Sequence, residues 1–211
     1  MAIQIRISPD AMRASAARQK SIAQKVFEIN DRMGALSSKL NAAWDGGASV
    51  QALGNLAELR DSTKDAANFI DTGSDKLNAI AQAFETLDEG GAPVIVALDI
   101  ANFPMLRGVI NIITEWMLNF SGTVRIVPDE VREVGKELDV LSNLVKEVAA
   151  ELNKHLKTLD SEWDGRASEK FKADMQENIA SLKVLSAKLD DFGARVIKAA
   201  NRYEEIDNMF N

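Results

Sequence analysis

The sequence predicts an all-α protein in which two helical hairpins pack antiparallel as a four-helix bundle, with an additional helix in the segment that joins them. Three observations carry this expectation. The chain repeats itself: a shift of 119 residues lays Ile5-Arg6-Ile7-Ser8-Pro9-Asp10 on Val124-Arg125-Ile126-Val127-Pro128-Asp129, and 20 of the 88 pairs from position 5 to 92 are identical without a gap. The apolar residues recur at heptad-like steps, the period of a helix with one buried stripe. A chain of 211 residues with no cysteine, four prolines, 46% apolar and 27% charged residues must build its core from packed apolar side chains, and has enough of them.

The first helix is expected from Pro9, with Ser8 as N-cap and Asp10 near the positive end of the helix dipole. Its stripe is Ile22, Val26, Ile29, Met33, Leu36 and Leu40. Trp44-Asp45-Gly46 interrupts the pattern, because glycine accepts the left-handed conformation that ends a helix. The second stripe runs Leu56, Thr63, Ala66, Ile70, Gly73, Leu77, Ile80, Phe84, a thin seam that offers gaps or close approach. In the second copy, Pro128 opens a helix behind Val127, a poor N-cap. Val134, Leu138, Leu141, Val145, Val148 and Leu152 continue through His155 to Leu159 before Trp163-Asp164-Gly165. The last helix carries Phe171, Met175, Leu182, Leu185, Leu189, Phe192, Val196, Tyr203 and Ile206. A lone hairpin leaves its apolar face uncovered, so each should cover the other. The expected units are 1–89, a linker at 90–123 with a helix over 104–120, and 124–211.

Composition removes several function classes. Zero cysteine excludes disulfide scaffolds and cysteine-ligated metal sites. A net charge of −7, spread along the chain, argues against nucleic acid as a partner and against an anionic membrane held by charge. The N-terminus has no basic stretch before an apolar run, so no signal peptide is expected, and no segment is long and apolar enough for a membrane span. A phosphate loop, a His-Glu-x-x-His pair and a cysteine nucleophile are all lacking. The expectation is a protein without catalytic residues, cofactor or metal.

The motifs have a family likeness. A hairpin of about a hundred residues with Trp-x-Gly at its bend, closed by Tyr-x-x-x-Asp, resembles the WXG family of early-secreted-antigen-like proteins exported by type VII secretion systems. The pattern occurs twice, at Trp44 with Gly46 and at Trp163 with Gly165, and Tyr203 with Asp207 closes the second copy. The resemblance implies a dimer of hairpins made covalent, so that pairing proceeds at an effective concentration on the order of mM. It also implies that the Trp-x-Gly bend of one hairpin and the Tyr-x-x-x-Asp end of the other form a composite export signal. Tyr203 and Asp207 would be the export end with Trp44 and Gly46 beside them, while Trp163 and Gly165 would face Phe84 and Asp88 at a structural pole. The implied partner is the secretion ATPase or another secretion component, with a toxin or another WXG-like protein as further candidates, and the implied destination is outside the cell by a non-Sec route.

Individual residues also have plainer roles. Each tryptophan can plug the bend over the core, and Tyr203 lies on a core stripe. His155 falls where Leu36 falls in the other copy, which predicts a partly buried, hydrogen-bonded histidine and leaves a pH-sensitive seam open. In the linker, Val109, Ile113, Trp116, Met117 and Phe120 share a helical stripe, expected to lie along the bundle or else to meet a partner or lipid. Besides the exported WXG protein, two alternatives follow: a membrane-active effector that inserts its linker, and a cytoplasmic adaptor that escorts a larger toxin. Antiparallel hairpins require the linker to cross the bundle's length, roughly 52 Å for a 35-residue helix. Its length suffices.

Overall fold

The computed structural model describes residues 8–88, 126–163 and 166–210. Among these there are four helices: α1 (Pro9–Ala43), α2 (Gly47–Asp88), α3 (Pro128–Glu162) and α4 (Arg166–Phe210). At the start of α1 the Ser8 hydroxyl accepts from the Ala11 N–H at 3.4 Å, with Pro9 in the first turn, where its missing N–H costs nothing. Val127 stands at the same place before α3 and makes no side-chain cap bond. Both tryptophans stop their helices in the same way. Trp44 and Trp163 turn to extended backbone with φ −140°, while their N–H groups still donate to Leu40 and Leu159 at 3.0 Å.

Side-chain bonds fix how the helices fold back. Ser74 Oγ donates to the Ala16 carbonyl at 2.9 Å and Asn30 Nδ2 to the Arg60 carbonyl, closing α1 on α2. Ser142 Oγ donates to the Ser186 carbonyl at 2.9 Å, closing α3 on α4. The hairpins then meet mainly through α1 and α3. Lys25 pairs with Glu151, Arg32 with Glu137 and Lys39 with Glu133. Residue numbers rise along α1 as they fall along α3, so the two helices are antiparallel, as the sequence predicts.

One core, reaching from Met12 to Ala200, runs through all four helices and takes in nearly all of the predicted stripe residues between Ile22 and Val196. The thin seam of α2 is a close approach, not a gap. A Cβ on Gly73 would stand 2.3 Å from Gln19 Nε2 and 2.5 Å from Met175 Cε. The end of α2 and Ile126 lie at opposite poles, because α2 runs back along α1 from the bend where Ile126 pairs with Trp44. The additional linker helix expected at 104–120 lies outside the described residues.

Two expectations need correction. Gly46, with φ 120°, does not terminate α1, because Trp44 does that in extended conformation; the glycine instead launches α2. Its carbonyl accepts from the Ser49 N–H at 3.1 Å and the Ser49 hydroxyl at 2.8 Å, and its N–H donates to Asp45 Oδ1 at 2.8 Å. His155 is buried as expected, at 5% exposure, but neither ring nitrogen has a hydrogen-bond partner. Its neighbours on the stripe are apolar.

Candidate recognition pole

The end of the bundle where α1 gives way to α2 is also where α3 starts and α4 finishes. Extended backbone at Trp44 lets it pair with Ile126 in an isolated antiparallel bridge, and the Val127 N–H donates to the Ala43 carbonyl at 2.8 Å. The start of the second hairpin is thereby laid over the bend of the first. Trp44, 2% exposed, meets Tyr203 of α4 with ring centroids 6.2 Å apart and planes at 74°. That edge-to-face geometry sets the positive ring edge of one against the negative face of the other. Tyr203 itself is only partly buried. Burial pushes its phenol pKa up, and the adjacent Trp44 indole acts in the opposite direction.

Arg132 holds the start of α3 to the end of α4. Its guanidinium donates to Glu204 at 2.6 Å, Asp129 at 2.6 Å and Asn201 at 3.2 Å, and the two carboxylates, Glu204 first, raise its pKa. Glu204 and Asn201 flank Tyr203, so the arginine fixes the turn that carries the phenol. The sequence repeat aligns Arg132 with Arg13 but gives it no role, because the clamp joins segments far apart in the chain. Val50 was also missed. It is 70% exposed one turn beyond Gly46, where the other copy has Glu169.

Of the predicted site residues, Trp44, Gly46 and Tyr203 come together at this pole. Asp207 lies in the last turn of α4, and its side chain is outside the described residues, as are Gly165 and the side chains of Phe84 and Asp88. Trp163 is at the far pole, where its ring lies 5.6 Å from Phe171 of its own hairpin. Ala52 stands at the corresponding place in the first copy. Trp163 therefore finds an aromatic partner within its own hairpin and Trp44 finds one across the bundle. Val109, Ile113, Trp116, Met117 and Phe120 lie outside the described residues. Among the described residues no helix is long and apolar enough to cross a membrane, and no group of three or more acidic, histidine or cysteine side chains is placed to hold a metal ion.

Comparison with known proteins agrees with the internal repeat. The family profile described as "Proteins of 100 residues with WXG" matches residues 4–89 and again 123–208, offset by the same 119 residues. The chain is similar to Protein YukE of Bacillus subtilis, 30% identical over 87 residues that make up 41% of this chain and 90% of that protein. It is similar also to the ESAT-6-like protein SAG1039 of Streptococcus agalactiae, 25% identical over 84 residues, 40% of this chain and 88% of that protein. No solved structure matches.

Proposed function

Because the chain belongs to the WXG100 family twice over, as a tandem WXG protein of the type VII secretion class, we propose that it is a non-enzymatic type VII substrate or secretion partner. It displays a composite export signal at the pole built from Trp44, Gly46, Tyr203 and Asp207. One observation carries this reading: the bend motif of the first hairpin and the closing-motif tyrosine of the second are in ring contact. Trp44 is too buried to be touched directly, so it serves as the floor that positions Tyr203. The reader, a secretion ATPase or another secretion component, meets the partly exposed phenol and the last turn of α4. Before export the folded bundle resides in the cytoplasm. Binding to other proteins, whether a toxin or another secreted factor, uses surfaces outside this pole.

Culture fractionation in a bacterium with a type VII system tests the proposal. Trp44→Ala is a poor probe, because emptying a buried aromatic site costs about 3–5 kcal/mol. Tyr203→Ala and Asp207→Ala are better probes, since Tyr203 is only partly buried and Asp207 belongs to the last turn of α4. The parent is expected in the medium and both variants in the cell pellet, with helicity unchanged. Export of both variants at the parental level overturns the signal, and a parent absent from the medium overturns export.

A further inference from the structure

The interface between the hairpins is asymmetric in both charge and size, and the 119-residue correspondence shows what the asymmetry selects. Among the described residues three ion pairs cross from α1 to α3, Lys25 to Glu151 at 2.6 Å, Lys39 to Glu133 at 2.7 Å, and Arg32 to Glu137. In each the cation is on α1. Glu151 corresponds to Arg32 in the first copy, and Glu137 corresponds to Arg18. If the first hairpin paired with a second copy of itself, Lys25 would face Arg32 and Arg32 would face Arg18. If the second hairpin did so, Glu151 would face Glu137. Like charges at such positions disfavour the wrong partner more than opposite charges strengthen the right one.

Side-chain volume repeats the message. Met175 enters the hollow at Gly73, where Gln19 Nε2 also contacts its sulfur at 3.3 Å. Phe192 corresponds to Gly73, and Leu56 to Met175. A self-paired second hairpin would set Met175 against Phe192 and overpack the seam. A self-paired first hairpin would set Leu56 against Gly73 and lose the Gln19 contact. Only the mixed pair matches large to small.

We infer that the two hairpins are mutually selective partners: the ion pairs along α1 and α3 and the Met175 knob in Gly73 direct each to the other and reject homotypic pairing with a second copy of the chain. The seam is thus occupied from within and closed to exchange. This inference stands apart from the export reading, since it concerns the seam and not the pole.

Charge reversal in the full chain tests it. One variant carries Lys25→Glu with Arg32→Glu, so that both hairpins present carboxylates; another carries Glu137→Lys with Glu151→Lys, so that both present cations. Each alone should melt below the parent. The chain with all four changes should recover the parental melting temperature and single-chain mass. Refolded together in equal amounts, the two double variants should exchange hairpins and elute at twice the chain mass in light-scattering chromatography, less so at 1 M salt, where the Debye length is about 3 Å. Should a double variant fail to fold by itself, the mixture and the four-fold chain still decide. A double variant as stable as the parent, a four-fold chain no better than either double, or a mixture that stays at single-chain mass overturns the inference.

Discussion

His155 shows how one residue departs from its pattern. It occupies a leucine position on a seam, so its ring is buried while both nitrogens go without partners. Desolvation lowers its pKa below 6.5; the nearby Arg18 guanidinium adds to this and Glu151 opposes it. The unfolded chain therefore takes up the proton at a higher pH than the folded chain does. Stability is complete above the ordinary histidine pKa and falls as pH drops below it. Thermal melts from pH 8 to 5 should show the parent losing stability in the acid half of that range, while His155→Leu is higher-melting and flatter there. A parent and variant with parallel profiles would contradict this. The burial was legible in the heptad step, but the missing hydrogen bonds were not, because they depend on which side chains face the ring from other helices.

At the scale of elements, the helix starts differ by one atom type. Ser8 supplies a cap oxygen to α1 and Val127 supplies none to α3. Val127→Thr keeps the branched shape that packs on the core and adds the missing acceptor. It should stabilise the chain by about 0.5–1 kcal/mol in denaturant titration; a loss of stability would show that the methyl outweighs the cap. The helices were legible because an apolar stripe marks each one, with proline opening α1 and α3 and a cap only at Ser8, and the bends because Trp-Asp-Gly breaks both stripes. Glycine's part in the bend was misplaced. A sequence shows that a residue tolerates positive φ without showing on which side of the turn the chain uses it, and here Asp45 and Ser49 draw Gly46 into the start of α2.

Across the whole molecule, the duplicated hairpins build two unequal halves. Towards the Trp163 pole the seam holds Ser15, Gln19, Gly73, Ser74, His155 and Asn178, with Gln19 Oε1 and Asn178 Oδ1 buried without partners. Their counterparts towards the Trp44 pole are Val134, Leu138, Phe192, Gly193, Leu36 and Leu59, although Arg60 Nε and Trp44 Nε1 are buried polar atoms on that side. Unmatched polar groups cost about 1–3 kcal/mol each, so the half beyond Gln19 should open first. Native-state hydrogen exchange should find slower amides in 30–40 and 134–142 than in 12–20 and 150–158; uniform protection would contradict it. Sequence supplied the repeat and the register, and its linker is long enough to permit the antiparallel choice that the family resemblance implied. It did not give the knob of Met175 in Gly73 or the clamp of Arg132, because both are contacts between distant segments that no periodicity encodes.

The recognition pole depends on the first hairpin's Trp44 meeting the second hairpin's Tyr203, and a double-mutant cycle measures that contact directly. With Trp44→Leu, Tyr203→Leu and the double variant unfolded in denaturant, the edge-to-face pair predicts a coupling energy of about 0.5–1.5 kcal/mol. Losses that add to within about 0.3 kcal/mol would place the two rings apart and contradict it.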